Sequence, residues 1–374
     1  MKVAVVTPRF PPEPGGVEQY AAWVARTLRA AGHDVTVITT GRSRRATETS
    51  YDGIPVIRLG TWLTLSNTPV NPLWWWQVRR LLTRLQVDVV NAHVPVPGLA
   101  DIAAFTSPVP VVLTYHAGSL VKGGHPADPL LRAYERRVLP RVFARAAELV
   151  AVSPVALSHA TGRAHLIPPG VDCAQFSPPA AGTPRERKVL YVGRVERTSR
   201  WKGLQVLVES LVRLRGLVPG VRLEVVGDGD DVVPLQKLAA ELGVADLVDW
   251  AGRVPHADLP SYYRRAGVTV LPSLTESESF GMALVEAMAC GCPVVGSDVG
   301  GIPFVVREGD DGVLVPPADP HALADALAGV LTNPALAGAL GAAGRDAALS
   351  RWDWCEQESQ TLSVIEGVRE GVRR

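Results

Sequence analysis

Short runs of consecutive apolar, mostly β-branched residues punctuate the first part of the chain: Val3–Val6, Val35–Ile38, Val87–Val90, Val109–Leu113 and Leu149–Val152. A strand that is apolar at successive positions buries both of its faces, as strands of a parallel sheet do when helices cover both sides. Between the runs the period becomes helical. From Val17 to Ala31, residues Ala21, Ala22, Val24, Ala25 and Leu28 recur at helical spacing, and Gly32 supplies a stop. The alternation predicts a doubly wound α/β domain.

The pattern breaks through Ile167-Pro-Pro-Gly-Val-Asp172, Phe176-Ser-Pro-Pro179 and Thr183-Pro184, a stretch too rich in Pro and Gly to keep any period. It resumes with Lys188–Val192, Arg222–Val226, Val268–Leu271 and Pro293–Val295, each followed by a helical stretch. The expected organisation is a first domain over 1–170, a linker over 171–187 and a second domain of the same kind over 188–351. A last helix over 352–374 is expected to pack back on the first domain. The 374 residues suffice for two cores of ordinary size. Open α/β sheets bind ligands at the carboxyl ends of their strands, so a ligand between the domains is expected.

A formal net charge of +1 gives no global field that would draw in nucleic acid, and none is expected as a partner. The local clusters Arg42-Ser-Arg44-Arg45 and Arg185-Glu-Arg187-Lys188 read as solvated loops. Cys173, Cys290, Cys292 and Cys355 have neither C-x-x-C spacing nor a nearby histidine, and read as reduced and structural. The opening Lys2 and Val3–Val6 are too short for a secretion signal, and no apolar stretch reaches transmembrane length. A cytoplasmic protein is expected, with a peripheral membrane contact left open.

Chemistry concentrates in Leu271-Pro-Ser-Leu-Thr-Glu-Ser-Glu278-Ser-Phe-Gly-Met-Ala-Leu-Val-Glu286-Ala-Met-Ala-Cys-Gly-Cys-Pro293. A strand ends, a polar loop follows, and a helix opens near Gly281, with Glu278 at its N-terminus and Glu286 about two turns in. The free amides of Ser279, Phe280, Gly281 and Met282 would form an anion site between the two carboxylates. Amides for phosphate oxygens and carboxylates for hydroxyl groups suit a sugar nucleotide better than a bare phosphate.

This stretch closely resembles the E-x7-E signature of the retaining glycosyltransferases of family 4, whose fold is GT-B, two Rossmann-like doubly wound parallel-sheet domains. The resemblance implies that Glu278 meets the transferred sugar and Glu286 the ribose hydroxyls. Four further segments match family patterns, so it spans nearly the whole chain. Phe10-Pro-Pro-Glu-Pro-Gly-Gly-Val-Glu18 resembles the glycine loop after the first strand, with Gly15 and Gly16 letting backbone approach the pyrophosphate. Tyr115-His116-Ala117 is similar to a Thr-Tyr-His element whose histidine reaches the donor sugar or reacting centre. Gly193-Arg194 through Lys202-Gly203 is similar to the G-R-x-x-x-x-K-G donor clamp, and the segments with Gly229 and with Arg253 and Val254 resemble those lining the base pocket.

Arg194 and Lys202 would stabilise the charge gained by the leaving diphosphate. Thr198-Ser-Arg-Trp201 lengthen this loop, so Arg200 is an alternative to a displaced Lys202. His93, at another strand end, is a second-tier candidate. His33, His125, His159, His165, His256 and His321 read as structural or solvent-facing. Asp228-Gly-Asp230-Asp231 reads as a helix cap, not a metal site, and neither metal nor cofactor is expected besides the nucleotide-sugar donor.

Leu73-Trp-Trp-Trp76 opens a basic amphipathic helix containing Arg79, Arg80 and Arg84. Either Trp74, Trp75 and Trp76 touch a bilayer surface, or two of them pack into the core while the third covers the acceptor cleft or stacks on a sugar ring; the second reading is preferred. The implied reaction is hexosyl transfer from a UDP- or GDP-sugar to the hydroxyl of a sugar or lipid-linked acceptor, with retention of configuration. A nucleotide-sugar epimerase and a non-catalytic sugar-nucleotide-binding subunit are the rivals. A dinucleotide oxidoreductase is disfavoured because no strand runs into G-x-G-x-x-G.

Overall fold

The computed structural model describes residues 1–13, 15–65, 68–121 and 127–372. They form two compact units, one of Met1–Pro168 with Gln357–Arg374, the other of Pro169–Glu356.

The first unit contains β1 (Lys2–Val6), α1 (Gly16–Ala30), β2 (Asp34–Thr40), β3 (Thr47–Tyr51), β4 (Ile54–Leu59), β5 (Leu63–Leu65), β6 (Thr68–Val70), α2 (Trp74–Leu85), β7 (Val89–Val94), α3 (Leu99–Thr106), β8 (Val111–Tyr115), α4 (Asp128–Arg137), α5 (Leu139–Arg145), β9 (Glu148–Ala151) and β10 (Ala164–Leu166). Its main sheet runs β10-β9-β8-β7-β1-β2-β4-β3, parallel except for β3, which pairs antiparallel with β4. Every residue of β7 and β8 is buried, the outcome the unbroken apolar runs predict. The β3–β4 and β5–β6 hairpins escape the sequence reading because their strands are short, and β3 is almost wholly exposed.

The second unit contains β11 (Lys188–Val192), α6 (Leu204–Leu217), β12 (Arg222–Val226), α7 (Val232–Glu241), β13 (Val248–Gly252), α8 (Leu259–Arg265), β14 (Val268–Leu271), α9 (Met282–Ala289), β15 (Val294–Ser297), α10 (Ile302–Val305), β16 (Val313–Val315), α11 (Pro320–Thr332) and α12 (Pro334–Arg351). Its sheet runs β13-β12-β11-β14-β15-β16 and is parallel throughout. Successive residues of β11 serve opposite cores: Val189 and Tyr191 join the apolar cluster around Leu207, Leu211 and Leu327, while Leu190 joins the one around Leu284, Met288 and Phe176. Burial on both faces leaves each strand no polar side, which is why alternation is missing from its sequence.

The expected linker is different in the structure. Val171, Cys173 and Phe176 are buried in the second core, and arginines satisfy the carbonyls around them. Arg345 donates to the carbonyls of Phe176, Ala289 and Cys173, and Arg264 to those of Ser177 and Gln175. Arg185, read from sequence as part of a solvated cluster, donates to the carbonyls of Tyr263, Arg264, Ala266 and Cys290. Proline removes the periodic signal without removing the packing, because φ is fixed and the backbone donors are absent. The last helix, α13 (Trp354–Val372), begins in the second unit and continues in the first, where His33 Nε2 lies 2.8 Å from Glu366 Oε1. All four cysteines are free thiols.

Candidate active site

The second unit's site is built where its strand order reverses. The chain passes from β11 to β12 on one side and later returns to β14 on the other, which opens a crevice at the carboxyl ends of β11 and β14. After β11 the chain enters a short 3₁₀ turn, Arg197–Lys202, and leaves it at Gly203 with φ 73°. Only glycine is accommodated there, since a Cβ would stand 1.8 Å from the Pro272 carbonyl oxygen. Leu274 N also donates to Trp201 O at 2.7 Å, so the turn is fastened to the loop after β14.

This fastening brings Lys202 Nζ to 2.7 Å from Glu278 Oε2, an oxygen that Ser273 Oγ also approaches at 3.3 Å. The added residues before Lys202 form the 3₁₀ turn from which Lys202 reaches Glu278. Arg200 is committed elsewhere: its Nε and Nη2 lie 2.8 and 2.6 Å from the two oxygens of the buried Asp231. Asp230 accepts from Arg197 N at 2.8 Å. The expected capping of α7 by Asp230 or Asp231 is therefore corrected, because Asp231 occupies the N-cap position without a side-chain capping bond and both carboxylates hold the 3₁₀ turn. Arg194 is half-buried and makes no ion pair among the described residues.

Helix α9 starts at Met282 behind Gly281, whose φ of 98° favours glycine, so Glu286 lies about one turn into the helix and not two. Glu286 is buried, with Tyr263 Oη donating to Oε2 at 2.7 Å and His256 Nε2 2.9 Å from Oε1. Burial and the neighbouring Glu286 charge hold the Tyr263 phenol well above its ordinary pKa, so it remains a donor. His256, grouped by sequence with the structural or solvent-facing histidines, is thereby placed at the Glu286 carboxylate. The amides of Gly281, Met282 and Ala283 donate to no backbone carbonyl among the described residues, leaving an electropositive helix start between the two glutamates.

Other candidates in this unit divide. The ring of Phe280 is buried edge-on to Trp352 at 5.2 Å and also meets Phe304, which makes it core and not ligand surface. Ser279 is half-buried, and its carbonyl oxygen would lie 1.9 Å from a Cβ on Gly301, while Gly301 N donates to Glu278 O at 2.8 Å. Gly300 and Gly301 thus fix the Glu278 loop, a role the sequence reading missed. Gly229 owes its identity to protein packing, since a Cβ would lie 2.3 Å from Val195 O. Arg253 is exposed, and Val254 packs partly into the core.

In the first unit the strand order reverses between β1 and β7. Gly15 and Gly16 lie at the start of α1, and a Cβ on Gly16 would meet nothing within 4 Å. The adjoining Pro14 lies outside the described residues, as does His125. His116 follows β8 and His93 sits in β7; their rings stack at 22°, with Nδ1 of His93 2.9 Å from Nε2 of His116. Tyr20 of α1 meets both rings edge-on and donates to Ile167 O at 3.2 Å. Burial pushes His116 down to about 3, and burial with its neighbour's charge holds His93 well below the usual histidine range. Both rings are therefore neutral at physiological pH.

Trp74 is buried with Nε1 donating to Gly60 O at 3.0 Å, whereas Trp75 and Trp76 are 55% and 60% exposed. One tryptophan, not two, thus enters the core. Trp75 stacks on Phe105, and Arg80 lies over the Trp76 ring. Trp62, Leu63 and Leu73 are also exposed, in the preceding hairpin and turn; of these the sequence reading includes only Leu73. No single helix among the described residues is long and apolar enough to cross a membrane.

Residues 177–347 match the family model of group 1 glycosyl transferases, and residues 14–175 that of Glycosyltransferase Family 4. The chain belongs to this glycosyltransferase family. It is 30% identical over 392 residues to a GDP-mannose-dependent alpha-(1-6)-phosphatidylinositol monomannoside mannosyltransferase of Mycolicibacterium smegmatis, covering 98% of each chain. It is 32% identical over 388 residues to a phosphatidyl-myo-inositol mannosyltransferase of Mycobacterium tuberculosis, covering 98% of this chain and 97% of the other. Among solved structures it resembles a sucrose-phosphate synthase of Thermosynechococcus elongatus, with TM-score 0.82, 25% identity and 99% of each chain covered. The two parallel-sheet units are those of a GT-B glycosyltransferase, and the chain is a nucleotide-sugar glycosyltransferase of glycolipid or glycan synthesis.

Proposed function

We propose that the chain transfers a hexosyl group with retention of configuration and without a metal, with Glu278, Lys202 and Arg194 at the diphosphate and sugar, and Glu286 at the ribose. The observation that carries this reading is the Lys202–Glu278 pair beside the start of α9. A carboxylate alone would repel a diphosphate, and the ammonium 2.7 Å away cancels that charge while keeping two further N–H donors for the ligand. As the glycosidic bond breaks, negative charge grows on the leaving phosphate, and Lys202, Arg194 and the amides of α9 stabilise it more than they stabilise the bound substrate. Retention and the sugar-facing role of His116 follow from the family resemblance, with an oxygen of the leaving phosphate accepting the acceptor's proton.

The name of the Mycolicibacterium smegmatis relative makes GDP-mannose the first donor to test, and the names of both mannosyltransferases make an inositol lipid the first acceptor. The test is thermal shift with GDP- and UDP-sugars, followed by product analysis with the acceptor. A tight donor raises Tm by mass action. Absence of any shift with GDP- and UDP-sugars alike would overturn the donor reading.

A lipid acceptor is also favoured by the exposed apolar group of Trp62, Leu63, Leu73, Trp75 and Trp76, adjoining the helix that carries Arg79, Arg80 and Arg84. No acidic residue interrupts α2. Aromatic side chains beside arginines suit the interface of an anionic bilayer, and we propose that this surface docks there.

A further inference from the structure

We infer that His93 fixes His116 as a hydrogen-bond donor at Nδ1, so that His116 gives a proton into a hydrogen bond with an oxygen of the substrate and does not take one. The inference rests on the reading that His116 faces the sugar, and it makes His93 a positioning residue for the transfer.

The argument starts from register. His93 in β7 pairs with Thr114 of the adjacent strand β8, so the side chain of His116 just beyond that strand falls beside it. The two rings are 5.2 Å apart between centroids, and the 2.9 Å contact between His93 Nδ1 and His116 Nε2 requires one proton between them. His93 is fully buried, His116 is 8% exposed, and His93 Nε2 has no hydrogen-bond partner among the described residues. Each neutral ring carries a single proton, which leaves two arrangements.

If His116 donated from Nε2, the proton of His93 would sit on its own Nε2, a buried N–H with nothing to receive it. If His93 donates from Nδ1, the unpartnered Nε2 is only a lone pair. Buried N–H groups without acceptors are rarer than acceptors left unfilled, so the second arrangement prevails. It puts the proton of His116 on Nδ1. Tyr20, edge-on to both rings, restrains their rotation.

The test reads the tautomer in the full-length protein without any ligand. Long-range 1H–15N correlation spectra of histidine-labelled protein, assigned by the signals missing from His116→Gln, are expected to show Nδ1 of His116 protonated and Nε2 bare. A protonated Nε2 on His116 overturns the inference, and since no substrate is present it does so without touching the glycosyltransferase reading. His93→Asn keeps an amide donor near the Nδ1 position and is expected to retain kcat within about threefold, whereas His93→Leu loses about tenfold or more in kcat with the KM for the nucleotide sugar little changed. Wild-type kcat in a folded His93→Leu would equally sink it. Equal losses in both variants, tracking a common fall in Tm, would mean His93 is structural only.

Discussion

Lys202 Nζ and Glu278 Oε2 stand 2.7 Å apart although 76 residues separate them in the chain, and Arg200, two positions from Lys202, is turned away to Asp231. Two cations of one short turn thus have separate tasks. Lys202→Met should lower kcat by about 10²–10³, the usual cost of removing one preorganised group at a developing charge, and should also cost about 1 kcal/mol of stability by leaving the buried Glu278 less well paired. Arg200→Met should cost about as much stability by leaving Asp231 less well paired, while kcat stays close to wild type. Steady-state kinetics beside thermal melts separate the two, and a fully active Lys202→Met enzyme would remove Lys202 from the chemistry.

Glu286 is held on one oxygen by the buried Tyr263 and shared on the other with His256. Glu286→Ala should abolish the donor-induced thermal shift. Tyr263→Phe removes one hydrogen bond to a charged group and should weaken donor binding about tenfold, with the fold retained. Isothermal titration with the nucleoside diphosphate measures both. Full affinity in Glu286→Ala would end the ribose assignment.

The paired histidines make stability depend on pH in a defined direction. His116 is lowered from 6.5 to about 3 in the folded protein, so the unfolded chain binds more protons than the folded one between those values. The stabilisation is complete above the unfolded pKa and is lost as pH falls toward the folded one. Wild type should therefore lose up to about 1.4 kcal/mol per pH unit relative to His116→Gln below pH 6.5, read by urea unfolding at a series of pH values. Parallel profiles for the two proteins would contradict the burial-driven shift.

For the membrane surface, Trp62, Trp75 and Trp76 are the side chains to replace, since Trp74 is buried. A triple alanine variant should bind anionic vesicles about tenfold less than wild type or worse in a flotation assay, and neutral vesicles should recruit neither. Equal flotation of both proteins would refute the docking surface.

Gly301→Ala places a Cβ 1.9 Å from Ser279 O and must shift the Glu278 loop. It should cost about 1–3 kcal/mol and lower activity. Gly329→Ala, in α11 with nothing within 4 Å, is the control and should stabilise by about 0.5–1 kcal/mol. Differential scanning calorimetry compares them, and an undisturbed Gly301→Ala would show that the loop yields at little cost.

The sequence alone determined the α/β architecture, because two-sided burial writes itself as unbroken apolar runs such as Val3–Val6 and Val268–Leu271. It also pointed to Glu278, Glu286, Lys202 and His116, whose motifs are local. What it left undecided depends on atoms brought together from far along the chain. The segment 171–187 looked like a linker because prolines hide its period, yet Phe176 anchors it in a core. A tyrosine in a seven-residue helix gives no sign that its hydroxyl will meet a glutamate 23 residues later. Only tertiary packing settled which of Lys202 and Arg200 reaches Glu278, because the choice turns on Gly203 lying against the Pro272 carbonyl and on Asp231 claiming the guanidinium. Pairings of this kind are set by distance in space, and sequence spacing does not encode them.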